Sequence, residues 1–169
     1  TFHRPGSFTG LSAAGTAVAF DVQAFFVNVS GEYVFEADYR NSAGSLFNGF
    51  SFVYSGAFDS NNSLANLIAG DDDYAGAFSV LPGATPNGLF GSRIALGEAS
   101  NFGGAGTGLN LTAGVQYFAV ITGFGNTNFG TYTVGIGGGQ GPVNLGLVPA
   151  PSAMALLGLG GLVATRRRR

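Results

Sequence analysis

The stretch QYFAVITGFGNTNFGTYTVGI, residues 116–136, decides the class of fold. Its first seven residues, QYFAVIT, are apolar on both faces, which suits a strand buried in the middle of a sheet. Residues 130–136 alternate instead, with Tyr132, Val134 and Ile136 on one side and Thr131 and Thr133 on the other, the two-residue period of a half-buried strand. Between them, GFGNTNF (123–129) is rich in residue types that accept positive φ and is expected to connect the two runs as a hairpin.

The same vocabulary recurs toward the N-terminus. NGFSFVYS (48–55) places Phe50, Phe52 and Tyr54 on one face, and EYVFEAD (32–38) sends Tyr33, Phe35 and Ala37 inward with Glu32, Val34, Glu36 and Asp38 outward. QAFFVNV (23–29) groups Phe25, Val27 and Val29, and the Ser30-Gly31 turn predicts a hairpin with the run that follows. Residues 16–21 are expected as an edge strand, 64–69 and 89–96 as further strands, and 101–108 as a Gly-rich loop. Over 56–74 the periodicity stops and polar residues accumulate, as in a long loop.

Strands at short spacing, Gly-rich turns and no convincing helix before Ser152 predict an all-β chain. The expected architecture is a single β-sandwich of jelly-roll type over residues 1–136. GGGQG (137–141) opens a flexible Gly-rich linker, 137–147, and residues 148–169 form a separate tail with a short apolar helix.

Composition narrows the class. The 169 residues include 30 Gly and 16 Phe, only 9% are charged, and none is Cys. Ordinary soluble domains carry about 25% charged residues, and this balance of glycine and aromatics points away from disorder and helical bundles. Without cysteine there are no disulfides and no thiolate zinc sites, so stability rests on the core or on a bound ion. Outside the last four residues, three arginines stand against nine acids, a formal charge of −6. That sign argues against nucleic acid, whose binders present a basic face. The first residue is Thr1, with no apolar leader ahead of the domain, so an export signal is expected upstream of it.

The tail, VPAPSAMALLGLGGLVATRRRR (148–169), joins a proline-stiffened turn, an apolar run over 153–164 and four arginines. As a helix, the run reaches roughly 18 Å at about 1.5 Å per residue, short of the ~30 Å hydrocarbon core. Clustered arginines stay on the cytoplasmic side of a bilayer, which leaves the bulk of the chain on the other side. Val148, Pro149, Ala150 and Pro151, the apolar run, and Arg166, Arg167, Arg168 and Arg169 in this order resemble the bacterial PEP-CTERM sorting signal, with Ala150 where that family has its central Glu. The resemblance implies export, transient membrane anchoring, recognition by an exosortase-type transpeptidase, cleavage near the prolines, and release to the cell surface or extracellular matrix.

A second resemblance covers residues 16–136. It is carried by GEYVF (31–35), by the loop containing Phe58, Asp59, Asn66, Leu67, Gly70, Asp71, Asp72 and Asp73, and by AGVQYFAVITGFGN (113–126) with GTYTV (130–134). These are similar to the bacterial pre-peptidase C-terminal domain, a β-sandwich accessory domain of secreted proteases and adhesive surface proteins.

Catalytic constellations are thin. His3 is the one histidine and sits in an N-terminal segment expected to fray. There is no Gly-x-Ser-x-Gly elbow and no thiol nucleophile. Glu32, Glu36 and Glu98 have no evident partners and are expected to be solvated. One cluster suggests a metal: Asp59, Asn61, Asp71, Asp72 and Asp73, with Asn62 beside them, are hard oxygen ligands of the kind of which Ca²⁺ takes roughly six to eight. The EF-hand spacing is absent, and a solvated acidic turn accounts for the same residues.

The expectation is therefore a non-enzymatic exported protein with a structural or adhesive role, an extracellular polysaccharide among its partners, and no nucleic acid. The alternative is the accessory domain, carbohydrate- or Ca²⁺-binding, of a secreted hydrolase.

Overall fold

In the computed structural model, which describes residues 1–40, 46–81, 90–99, 102 and 105–149, the apolar run becomes β11 (Tyr117–Gly123) and lies in the middle of a sheet. β3 (Phe20–Val27) pairs antiparallel with one side of it and β5 (Gly49–Ser55) with the other. β6 (Leu67–Asp71) extends the sheet beyond β5, and β13 (Val143–Leu145) extends it beyond β3, giving the order β13-β3-β11-β5-β6. The second sheet is built on β4 (Gly31–Asp38), which pairs with β12 (Thr133–Gly137), β7 (Gly91–Ile94) and β10 (Leu109–Leu111). Two short ribbons, β1 (Pro5–Ser7) with β2 (Gly10–Leu11) and β8 (Leu96–Ala99) with β9 (Ala105–Thr107), complete the strands.

The fold is all-β and sandwich-like. Phe25, Val27, Tyr117, Ala119 and Ile121 of the first sheet share one core with Tyr33, Phe35, Ala37 and Leu109 of the second. The opposite face of the five-stranded sheet carries its own apolar layer. There Phe50, Phe52, Tyr54 and Val120 are covered by Phe2, Val18, Phe58 and Phe102. Burial on both faces explains why β11 shows no alternation.

Two expected hairpins are not formed. The strands at 23–29 and 32–38 belong to different sheets, since β3 pairs with β11 and β13 while β4 pairs with β7, β10 and β12. The connection at 123–129 likewise crosses from β11 in one sheet to β12 in the other. The reason is the core itself: Phe25 and Tyr33 both point into it, and as hairpin neighbours they would share one layer and leave it without an opposing one. Residues 16–21 do not make an edge strand; Val18 makes one bridge to Phe2, and β3 starts at Phe20. The expected loop at 101–108 includes β9. Within 137–147, residues Val143–Leu145 are the strand β13, in register with Val27, Phe26 and Phe25.

Nor is the N-terminal segment frayed. Phe2 and Val18 are buried and exchange backbone hydrogen bonds of 3.0 Å. The Phe2 ring packs edge-on against Phe20 at 5.0 Å and Phe58 at 5.8 Å. Burying one such ring contributes about 1.5–3 kcal/mol, enough to hold a short segment down. Among the described residues no helix is long and apolar enough to cross a membrane.

Candidate functional site

The five candidate Ca²⁺ ligands are not brought together. Asp59 and Asn61 lie in the connection between β5 and β6, where Asp59 Oδ1 accepts the Asn61 N–H at 2.8 Å. β6 then runs back along β5, from Leu67 beside Tyr54 to Asp71 beside Ser51. At about 3.3 Å per residue that run carries Asp71, Asp72 and Asp73 roughly 13 Å away, to the other end of the hairpin. Among the described residues no group of three or more His, Cys, Asp or Glu is arranged to hold a metal.

The three aspartates also diverge from one another. Asp71 joins the sheets: its Oδ2 accepts the Arg93 N–H at 2.7 Å, and its carbonyl accepts the Ser92 hydroxyl at 2.9 Å. Ser92 is in turn bonded to the buried Tyr39 hydroxyl at 2.6 Å, which also meets Ser51 Oγ at 2.6 Å. Asp72 and Asp73 each leave Oδ1 buried without a hydrogen bond.

Asp72 faces a cavity of about 450 Å³ that it shares with Arg4 and the β1–β2 ribbon. Arg4 is only 2% exposed. Its guanidinium lies between the rings of Phe50 and Phe124, 4.4 and 4.7 Å from their centroids, an arrangement in which the ring faces attract the cation. Nε donates to the Phe124 carbonyl at 2.8 Å and Nη1 to the Pro5 carbonyl at 2.8 Å. The backbone fixes it as well, with the Arg4 N–H donating to Gly15 O and the Ser12 N–H to Arg4 O, both at 3.0 Å. Gly15 must be glycine here, because a Cβ would sit 2.5 Å from Arg4 Nε. Burial pushes the Asp72 carboxyl up to about 7, the neighbouring Asp73 adds to the rise, and Arg4 opposes it.

A second cavity, about 460 Å³, opens between the sheets beside Ile121, Val134, Ile136 and Val143. Beside it the Tyr132 hydroxyl donates to Asp21 Oδ2 at 2.9 Å, and Gln23 Nε2 donates to the Ala24 carbonyl at 2.8 Å.

Glu36, expected to be solvated, is fully buried. Residues 79–81 lie across its strand, and its carboxylate accepts Ser79 N–H and Val80 N–H at 2.7 Å, Ser79 Oγ–H and Leu81 N–H at 2.9 Å, and Arg93 Nε–H at 3.0 Å. Burial alone would raise its pKa; the hydrogen bonds from Ser79, Val80 and Arg93 override that and hold it below the ordinary value. Gly135 on neighbouring β12 makes room for this cover, since a Cβ there would come within 2.9 Å of Leu81. Glu98 is paired with Arg93, and Glu32 Oε1 accepts the Leu96 N–H at 3.2 Å. Sequence reasoning missed the partners of Glu36 and Glu32 because they come from distant segments, whereas Arg93 lies five residues from Glu98. His3 is spent locally, with Nε2 at 2.7 Å from Ser12 O.

Of the tail residues, Val148 and Pro149 are described. The Val148 N–H donates to Gln116 Oε1 at 2.7 Å, while Gln116 Nε2 donates to the carbonyls of Phe25 at 2.9 Å and Gly146 at 3.3 Å. Gln116, which opens the apolar run, thus ties the departing chain to the domain. Pro149 is exposed. Ala150, Pro151 and Arg166, Arg167, Arg168 and Arg169 lie outside the described residues. No family model, curated protein or solved structure matches this chain.

Proposed function

We propose that the chain is a non-enzymatic, exported bacterial protein that a sorting tail delivers to the cell surface or extracellular polymer matrix, where it has a structural or adhesive role. In this reading residues 1–136 are a jelly-roll-like β-sandwich of the pre-peptidase C-terminal type. Residues 137–147, which add β13 to the sheet, lead to a tail, 148–169, whose short apolar helix holds the membrane transiently while an exosortase-type transpeptidase cuts near Pro149 and Pro151.

The observation that carries the reading is the order of features in the tail: Val148, Pro149, Ala150 and Pro151, then an apolar run too short to span a bilayer comfortably, then four arginines. The use of polar groups in the domain supports a structural role. Glu36, Asp71 and Arg93 join one segment to another, and the charge of −6 without the terminal arginines suits a surface exposed to a polymer matrix better than one meeting nucleic acid.

Mass spectrometry of the protein recovered from the surface or medium of its native host tests this. The expected result is a chain ending in the 148–152 region; a recovered protein that retains Arg169 contradicts the processing.

A further inference from the structure

We infer that the open side of the sandwich between β3 and β12 is a docking site for an extended peptide of another protein, one that carries a basic residue two positions from an apolar one. The site belongs to the domain and is independent of where the tail delivers it.

The backbone offers the first half of the site. β13 pairs with β3 only along Phe25–Val27. Gly146 then donates its N–H to the Ala24 carbonyl and, at φ +102°, turns the chain away. Phe20–Gln23 are paired with β11 on one side, and among the described residues no strand or backbone group bonds them on the other. Asp21, Val22 and Gln23 are accordingly exposed in succession, on both faces of a strand that lies next to the centre of its sheet. Such an edge presents N–H and C=O groups to which a further strand can be added. β12, across the gap, is the edge of the second sheet.

The side chains offer the second half. Asp21 and Gln23 alternate onto the face of β3 that carries Phe25, and so onto the cavity of about 460 Å³ between the sheets. Its walls include Val134, Ile136 and Val143, each half-buried, and Leu145, which is 70% exposed. The Tyr132 hydroxyl reaches Asp21 Oδ2 from the side of the second sheet, which places the exposed carboxylate at the mouth of this slot. Asp21 Oδ1 makes no hydrogen bond among the described residues. A strand added along Phe20–Gln23 would send alternate side chains toward the slot, one opposite Asp21 and one opposite Gln23.

Charge selects the partner. The three arginines ahead of the tail are engaged elsewhere: Arg4 between Phe50 and Phe124, Arg40 on Asp38, and Arg93 on Glu36 and Glu98. Among the described residues no cation pairs with Asp21, in a domain of formal charge −6. A second copy would bring a domain of the same sign to this edge and, in antiparallel register on Asp21, a carboxylate against a carboxylate. A basic side chain there gains a cross-strand ion pair of roughly 0.2–1 kcal/mol, and the negative field of the domain draws it in. Its neighbour on the same face, opposite Gln23, lies over the apolar walls and is best apolar itself.

The test is a ¹H–¹⁵N NMR titration of the full chain at pH 7 with the synthetic peptide acetyl-TLTRVT-amide, in parallel with acetyl-TLTEVT-amide and hexylamine. The basic peptide should bind with a Kd on the order of 0.1–1 mM, and the acidic one at least about tenfold more weakly. Saturable shifts should fall at residues 20–23, 132–136 and 143–145. With the basic peptide at ten times its Kd, exchange of the Phe20–Gln23 N–H groups that point away from β11 should slow about tenfold. Asp21→Lys should reverse the preference between the two peptides. Leu145→Arg, at an exposed position, should weaken the basic peptide at least about threefold while the melting temperature stays within about 2 °C of the parent. No saturable shift up to about 10 mM basic peptide would overturn the assignment. So would equal affinity for the two peptides, affinities unchanged by either substitution, or hexylamine binding at the same residues as tightly as the basic peptide. Slow exchange of those outward N–H groups before any peptide is added would overturn it as well, because a second copy or another part of the chain would then already hold the edge.

Discussion

Glu36 and Asp72 are both buried carboxylates, one 0% and the other 9% exposed, and their surroundings differ in kind. Glu36 accepts four hydrogen bonds from residues 79–81 and a fifth from Arg93 on β7, and is held ionised. Asp72 faces a cavity, keeps one oxygen without a donor, and is pushed toward neutrality. The contrast separates two uses of charge in a chain that has little of it. A carboxylate whose acceptor sites are filled by the fold fastens layers together, whereas one that burial penalises and that no hydrogen bond satisfies is a cost to the fold.

The largest expected effect comes from emptying the filled site. Glu36→Ala leaves Arg93 and three backbone N–H groups without their acceptor, and should lower the free energy of unfolding by about 3–5 kcal/mol, the usual result of breaking a buried ionic network from one side. Glu36→Gln keeps one carbonyl acceptor and should cost less, about 1–3 kcal/mol. Equilibrium urea unfolding of the full chain gives both values. If the alanine variant is as stable as the parent, the two carboxylates are not different in kind.

The effect at Asp72 should be smaller and of opposite sign. Its carboxyl lies near 7 in the folded chain against an ordinary 3.8, so the folded state binds the proton more tightly than the unfolded one. The stability this provides is fully present below about pH 4 and is lost as pH rises through 7. Between pH 5 and pH 8 the parent should therefore lose about 2 kcal/mol from this group, a figure discounted for water reaching the cavity. Asp72→Asn should remove that slope and be the more stable protein at pH 8, as read by denaturation at the two pH values.

The faces of single strands were legible in the sequence. Alternation placed Tyr33, Phe35 and Ala37 in the shared core and Phe50, Phe52 and Tyr54 on one face, and the unbroken apolar run marked β11 as central. Partnerships between strands were not, because periodicity states which way a side chain points and says nothing of what lies opposite. The false hairpins at Ser30-Gly31 and at 123–129 both follow from taking neighbours in sequence as neighbours in a sheet. The acidic set failed for the same reason: Asp59 and Asp71 are close along the chain and at opposite ends of β5 and β6. Glu36 was misjudged because its cover, residues 79–81, has no periodic signature; the trace it leaves is Gly135, a strand residue kept small to admit Leu81. Arg4 left no trace, since Phe50, Phe124 and Asp72 are all remote from it in sequence.

The difference between the two carboxylates can be measured in one experiment, a ¹³C NMR titration of the side-chain carboxyls in the intact chain. The contrast requires that Asp72 titrate with a midpoint near 7 while Glu36 stays ionised below the ordinary 4.5. An Asp72 midpoint near 3.8, or a Glu36 midpoint above 4.5, would contradict it.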